Sequence, residues 1–343
     1  MSAPTDLLAR NARITLEVAC RVKAGETLAI CTRRANHRYA KEENVVTYVR
    51  ALAREAVAMG AHPVVLDITE FLAGPGYAAG TIVAPIVEAL RGADAVINTM
   101  DDVSFAKLIG RKDNDDEFLT AGRRWVFLQA NGMEHWQLTP EAVGAIRPRT
   151  EKLIELIAEA KEVRVTSAAG TDFRFAMGSG SNATPILGIV PLYGEVATAP
   201  RQGSENGRIV VTGPTQMKVR PANELDRRPL VIDVADGRVT GYDGDKEQVK
   251  RLEAFMASGN PAADAIDEVG IPTSRVMDND QWWWSDGTHH LRRIHIALGN
   301  NLQRDTHVHG ARHMDTEIDD PTIVIDGVKV LDAGDFAGPL NAW

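Results

Sequence analysis

The chain reads as an α/β protein: an N-terminal open α/β sheet domain, then a strand-rich α+β C-terminal domain that holds the chemistry-bearing residues. Three observations predict this. Up to about residue 148, amphipathic helical runs alternate with short apolar strands. Beyond that point strands and turns dominate, and six of the nine histidines fall between residues 289 and 313. A length of 343 residues exceeds one ordinary core, so two domains, 1–148 and 149–343, are expected.

Taken in order, Leu7, Leu8, Ile14, Val18 and Val22 recur near helical spacing and predict a helix over 6–22, broken by Lys23-Ala24-Gly25-Glu26. A short apolar strand follows at Thr27–Cys31, then an amphipathic helix at Asn44–Met59 stopped by Gly60. His62–Ile68 is a second strand, Ile82–Arg91 a helix, and Ala95–Asn98 and Trp125–Leu128 two more strands. Strands separated by helices pair in parallel through right-handed crossovers. Sheets of this kind often bind nucleotides. The glycine pairs Gly74-Pro75-Gly76 and Gly178-Ser179-Gly180, however, do not follow a strand and open a helix, so they read as turns.

Thr150 is the expected N-cap of a helix over Thr150–Lys161, with Leu153, Ile154 and Ile157 on one face, and it marks the domain boundary. Strands are then expected over 162–167, 173–177, 208–212, 230–234 and 238–242, with a helix over 248–258. Asp326-Gly327 joins two alternating runs into a hairpin over 322–331.

The composition, 44% hydrophobic and 25% charged, is that of a globular protein. A net charge of −9 with dispersed basic residues repels phosphate backbones and excludes nucleic acid as an expected partner. Two cysteines, Cys20 and Cys31, form no disulfide framework and read as buried free thiols in a reducing compartment. The first residues lack a basic segment before an apolar core, and no stretch reaches the ~18 apolar residues that span a bilayer. A cytoplasmic protein without a membrane role is expected.

Four segments carry metal-type ligands. In His313-Met314-Asp315 a strand would place imidazole and carboxylate on one side. In Arg293–Gly299, Ile294, Ile296 and Leu298 share one face, while His295 shares the other with the small Ala297, which leaves room above it. Glu195 stands in Gly194-Glu195-Val196-Ala197-Thr198-Ala199-Pro200, and Glu268 in Ile266-Asp267-Glu268-Val269-Gly270-Ile271-Pro272-Thr273. Each alone is weak; mixed nitrogen and oxygen ligation of a divalent ion needs them together.

Together, and with Gly170-Thr171-Asp172-Phe173, these segments resemble the thermophilic aminopeptidase family (aminopeptidases T and S), whose relatives include 2,5-dihydroxypyridine 5,6-dioxygenase. In that family Gly-Glu-Val-x-Thr-Ala-Pro, x-Glu-x-Gly-Ile-x-Thr, His-Ile-Ala-Leu-Gly and His-x-Asp occur in this order. The resemblance covers about residues 150 to 335. It implies one or two divalent metal ions (Zn, Mn or Co) held by Glu195, Glu268, His295, His313 and Asp315, with Glu195 or Glu268 also moving protons, and a homodimer. The implied activity is metal-dependent hydrolysis of an amide or amine bond in a small molecule or short peptide, through metal-activated hydroxide. The family's Tyr seven residues after the His is here Leu302, which removes a transition-state donor worth about 3 kcal/mol. His307 and His309 have no family counterpart and stand as substrate-side candidates.

Two alternatives stand beside hydrolysis. One is a mononuclear Fe(II) ring-opening dioxygenase acting in aromatic degradation, for which His295, His313 and Asp315 would serve; the retained Glu195 and Glu268 suit hydrolysis better. The other is a non-catalytic ligand-binding protein. Trp282-Trp283-Trp284 is either an interface or lid, or an aromatic wall for a flat substrate in which Trp283 takes part. Arg292 and Arg293 are either surface residues or partners for a substrate carboxylate.

Overall fold

A computed structural model describes residues 4–32, 42–68, 88–99, 124–127, 136–187, 194–213, 228–259, 262–274, 292–299 and 313–343. The α/β class is as the sequence predicts. The described residues up to Gly144 form one compact unit, and those from Ala145 to Trp343 a second. Among the described residues no helix is long and apolar enough to cross a membrane.

The first unit is built on four parallel strands, β1 (Thr27–Thr32), β2 (His62–Asp67), β3 (Ala95–Asn98) and β4 (Arg124–Phe127), in the order β2-β1-β3-β4. Helix α1 (Pro4–Ile14) packs on α2 (Glu42–Ala58), whose buried residues Val45, Tyr48, Val49, Leu52 and Ala56 follow helical spacing. The single helix expected over 6–22 instead gives way to one π-helical turn, Thr15–Ala19. There the Thr15 hydroxyl donates back to the Asn11 carbonyl at 2.8 Å, and the Cys20 amide reaches Thr15 five residues back. Cys20 and Cys31 are buried free thiols, and burial pushes each up to about 12, which keeps both protonated. Of the helix expected over 82–91, only its end lies within the described residues, and Gly74-Pro75-Gly76 lies outside them.

The second unit holds two antiparallel sheets. One has eight strands: β5 (Val163–Thr166), β6 (Asp172–Phe175), β9 (Asn206–Val211), β10 (Leu230–Ala235), β11 (Arg238–Asp243), β15 (Thr322–Ile325), β16 (Val328–Asp332) and β17 (Asp335–Phe336). The other has five, in the order β14-β13-β12-β8-β7: β7 (Asn182–Leu187), β8 (Gly194–Ala199), β12 (Ile266–Pro272), β13 (Arg293–Gly299) and β14 (His313–Asp319). One continuous core joins them: Phe173, Ile209 and Ile232 from the first meet Val196, Val269, Ile271, Ile294, Ile296 and Leu298 from the second. Asp326 and Gly327 both take positive φ, 45° and 85°, which makes the hairpin of β15 and β16 the tight primed turn expected.

Two expectations are corrected here. The helix placed at Thr150–Lys161 runs over Ile146–Ile157 (α4, after the short α3 at Pro140–Gly144), so Thr150 sits within it and not at its cap. Pro148 falls in the first turn, where its missing N–H costs nothing, and therefore does not delay the start. Thr150 instead donates to the Ile146 carbonyl and meets the Thr273 hydroxyl at 2.6 Å. The segment after Glu268, where the apolar-glycine sequence Val269-Gly270 by itself predicts a turn, continues instead as a buried strand.

Candidate metal centre

Cross-strand register decides which side chains share a face, because directly paired residues of antiparallel strands point to the same side. Across the five-stranded sheet, Glu268 of β12 pairs with Ala297 of β13, which pairs with Asp315 of β14. In the next row Ala197 of β8 pairs with Gly270, Gly270 with His295, and His295 with Glu317. Glu195 lies one row further along, opposite Pro272. The face opposite the core therefore gathers Glu195, Glu268, His295, Asp315 and Glu317 from four neighbouring strands.

All five are buried: Glu317 is 0% exposed, Glu195 2%, His295 and Asp315 4%, and Glu268 6%. His295 Nε2 stands 3.7 Å from Glu195 Oε1 and 3.9 Å from Glu268 Oε1. One ligand atom from each of Glu195, Glu268 and His295 lies within 4.8 Å of the others. A cation about 2.1 Å from each donor spans up to ~4.2 Å between them, so the separations of 3.7 Å and 3.9 Å from His295 to the two glutamates suit a shared divalent ion. Electrostatics point the same way. Burial alone would lower the His295 pKa, but Glu195, Asp315 and Glu268 outweigh it and hold the imidazole well above its ordinary range. The carboxylates thus demand positive charge at this spot, which a proton or a metal supplies.

The strand ends are pinned from α4. Arg149, fully buried, donates to the Thr273 carbonyl at 2.8 Å and to the Leu340 carbonyl at 3.0 Å, with its guanidinium over the Phe336 ring. The Thr273 amide in turn donates to the Gly194 carbonyl at 2.6 Å, next to Glu195. Hydroxyls on the core side are also satisfied: Thr198 donates to the Val269 carbonyl and Thr316 to that of Ile296. At the other end of β12 the register shifts between Ile266 and Glu268, at Asp267. Asp267 faces Glu205, a buried carboxyl pushed up to about 7, first by burial and further by Asp267, against the lowering effect of backbone amides at Glu205, Gly203 and Ser204.

Of the residues expected from sequence, the structure brings together Glu195, Glu268, His295 and Asp315. The backbone of His313 pairs with Gly299, two residues before Asp315, and its side chain lies outside the described residues. Trp283, Leu302, His307 and His309 also lie outside them. Arg293 turns to its own sheet: Nη1 is 2.9 Å from Glu317 Oε2, and Nε is 2.6 Å from Asp319 Oδ1. Arg292 is engaged at the surface by Asp320 and Asp335. Glu317 escaped the sequence reading, although the alternation His313, Asp315, Glu317 on one strand was a signal that could have found it.

Comparison with known proteins places the chain. A family model described as NicX: 2,5-dihydroxypyridine 5,6-dioxygenase matches residues 11–338. No curated protein matches. The solved structure of 2,5-dihydroxypyridine dioxygenase from Pseudomonas putida KT2440 is 18% identical and covers 98% of each chain with a TM-score of 0.67. Wild-type AmpT from Thermus thermophilus is 15% identical, with 98% of this chain and 100% of that one covered and a TM-score of 0.56. At these identities the two structures establish a shared fold.

Proposed function

The chain belongs to the 2,5-dihydroxypyridine 5,6-dioxygenase family, a family of enzymes, and on that premise we propose that it is a metal-dependent hydrolase of an amide or amine bond in a small molecule or short peptide. One observation carries the choice of hydrolysis: among the described residues the buried cluster is rich in carboxylates, with Glu195, Glu268 and Asp315 all acting on the imidazole of His295. Such a set suits hard or borderline divalent ions and carboxylate bridging between two of them, whereas a mononuclear oxygenase iron favours two imidazoles and one carboxylate. Glu195, Glu268, His295 and Asp315 would hold the metal, with His313 joining them from β14.

A divalent ion bound there supplies Lewis acidity and lowers the pKa of water. The protein's own part is to orient and to move protons. Glu195 or Glu268 accepts the proton of the attacking water at a carboxylate oxygen and returns it to the leaving amine as the C–N bond breaks and the C–O bond forms. Burial of the cluster keeps bulk water from competing for those oxygens. Arg293, held by Glu317 and Asp319, tightens β13 against β14. A cytoplasmic homodimer belongs to the same proposal.

A second reading, ring-opening oxygenation of a hydroxylated aromatic or pyridine, is supported by the family match over residues 11–338 and by the likeness to the Pseudomonas enzyme. Metal analysis with a substrate screen separates the two. About two equivalents of zinc, manganese or cobalt with cleavage of aminoacyl or amide compounds supports hydrolysis. One equivalent of iron with oxygen uptake on dihydroxypyridines supports oxygenation, and a protein that binds no metal overturns both.

A further inference from the structure

Gly270 is a glycine in the middle of a fully buried strand, and the backbone does not ask for one there, since it has no positive φ. A mid-strand glycine weakens a sheet, so something other than backbone freedom accounts for it. A Cβ added at Gly270 would lie 1.9 Å from Cε1, 2.3 Å from Nε2 and 2.6 Å from Nδ1 of His295, far inside the ~3.5 Å of ordinary contact. The imidazole therefore rests on β12 itself, in the space a side chain would fill.

We infer that Gly270 is a positioning residue whose missing side chain opens a lane across β12, through which His295 on β13 reaches Glu195 on β8. The inference rests on the metal-site reading for its purpose, though not for its geometry. Strands β13 and β8 are separated by β12, about 9.6 Å apart at ~4.8 Å per strand, yet His295 Nε2 ends 3.7 Å from Glu195 Oε1. Only a side chain lying along the sheet, over the intervening strand, closes that gap. Ala297 does the same in the neighbouring row, where a methyl group is all that stands between Glu268 and Asp315. On the opposite face the same strands carry Val269, Ile271, Ile294 and Ile296, so the small residues are confined to the side where ligands must cross.

The test is a double-mutant cycle on metal-stripped protein, with Gly270→Ala introduced into the native sequence and into His295→Ala. Melting temperatures are read alongside Co(II) titration by visible absorption. In the native background Gly270→Ala is expected to lower the melting temperature by about 5 °C or more, or to prevent folding. Where it folds, Co(II) binds at least about tenfold more weakly. In the His295→Ala background the same substitution is expected to leave both the melting temperature and Co(II) affinity unchanged. An equal loss of stability with and without His295, or native Co(II) affinity in Gly270→Ala, would overturn the inference. Native protein that binds no Co(II) would sink the metal-site reading, while the stability cycle would still decide the role of Gly270.

Discussion

The two faces of the five-stranded sheet share strands, register and burial, and differ only in which alternate residues they present. One presents Val196, Val269, Ile271, Ile294, Ile296 and Leu298 to the core. The other presents Glu195, Glu268, His295, Asp315 and Glu317, buried just as deeply. The first face lowers the free energy of the fold by removing hydrocarbon from water, about 1.5–3 kcal/mol for each large side chain. The second raises it until a cation arrives, because buried carboxylates repel and have lost their hydration. Stability and chemistry are thus divided between alternate positions of the same strands.

That division can be broken by substitution, and the largest effect is expected at the site. Glu268→Ala and His313→Ala should each abolish metal binding and activity while the metal-free protein stays folded and, for Glu268→Ala, becomes no less stable. Metal analysis beside thermal melts reads both, and full metal content in both variants would overturn the ligand assignment. The mirror experiment is Ile296→Ala, which should cost about 3 kcal/mol of stability yet leave metal stoichiometry unchanged in the folded fraction. Arg293→Ala removes the guanidinium 2.9 Å from buried Glu317 and should cost about 3 kcal/mol by denaturant unfolding. Loss of substrate affinity alone, with stability intact, would return Arg293 to substrate binding.

Smaller effects sharpen the picture at the sheet's margins. Glu205 titrates near 7 in the folded protein against about 4.5 unfolded, so between these values the folded state holds the extra proton. Stability should therefore fall as pH rises from about 4.5 to 7, by no more than about 3 kcal/mol, and Glu205→Gln should flatten that slope. Unchanged pH dependence in the variant would remove Glu205 as its source. Smallest of all, Arg292→Ala at the exposed pair with Asp320 and Asp335 should change stability by less than about 1 kcal/mol.

How much of this was legible depended on alternation. β13 declared itself because Ile294, Ile296 and Leu298 alternate with His295 and Ala297, and His313-Met314-Asp315 followed the same rule. β8 and β12 did not, because all of their residues are buried and neither alternates cleanly between apolar and polar. Their glutamates were recoverable only through the ordered resemblance of four motifs. Gly270 was invisible for another reason. A glycine's purpose lies in the partner that fills its space, and that partner is set by register across strands distant in sequence. Likewise Thr150 looked like a cap because sequence alone does not show that Pro148 can sit inside the first turn.

Because the proposed ligands come from several strands of one sheet, correct pairing and assembly of the proposed cage are the same event. A one-residue slip of β13 would aim Ile294, Ile296 and Leu298 at the carboxylate cluster and sink His295 into hydrocarbon. On the proposed ligand set, ion capture would therefore work as a proofreading step on the fold: a chain that had misaligned its strands would have nothing to offer the metal.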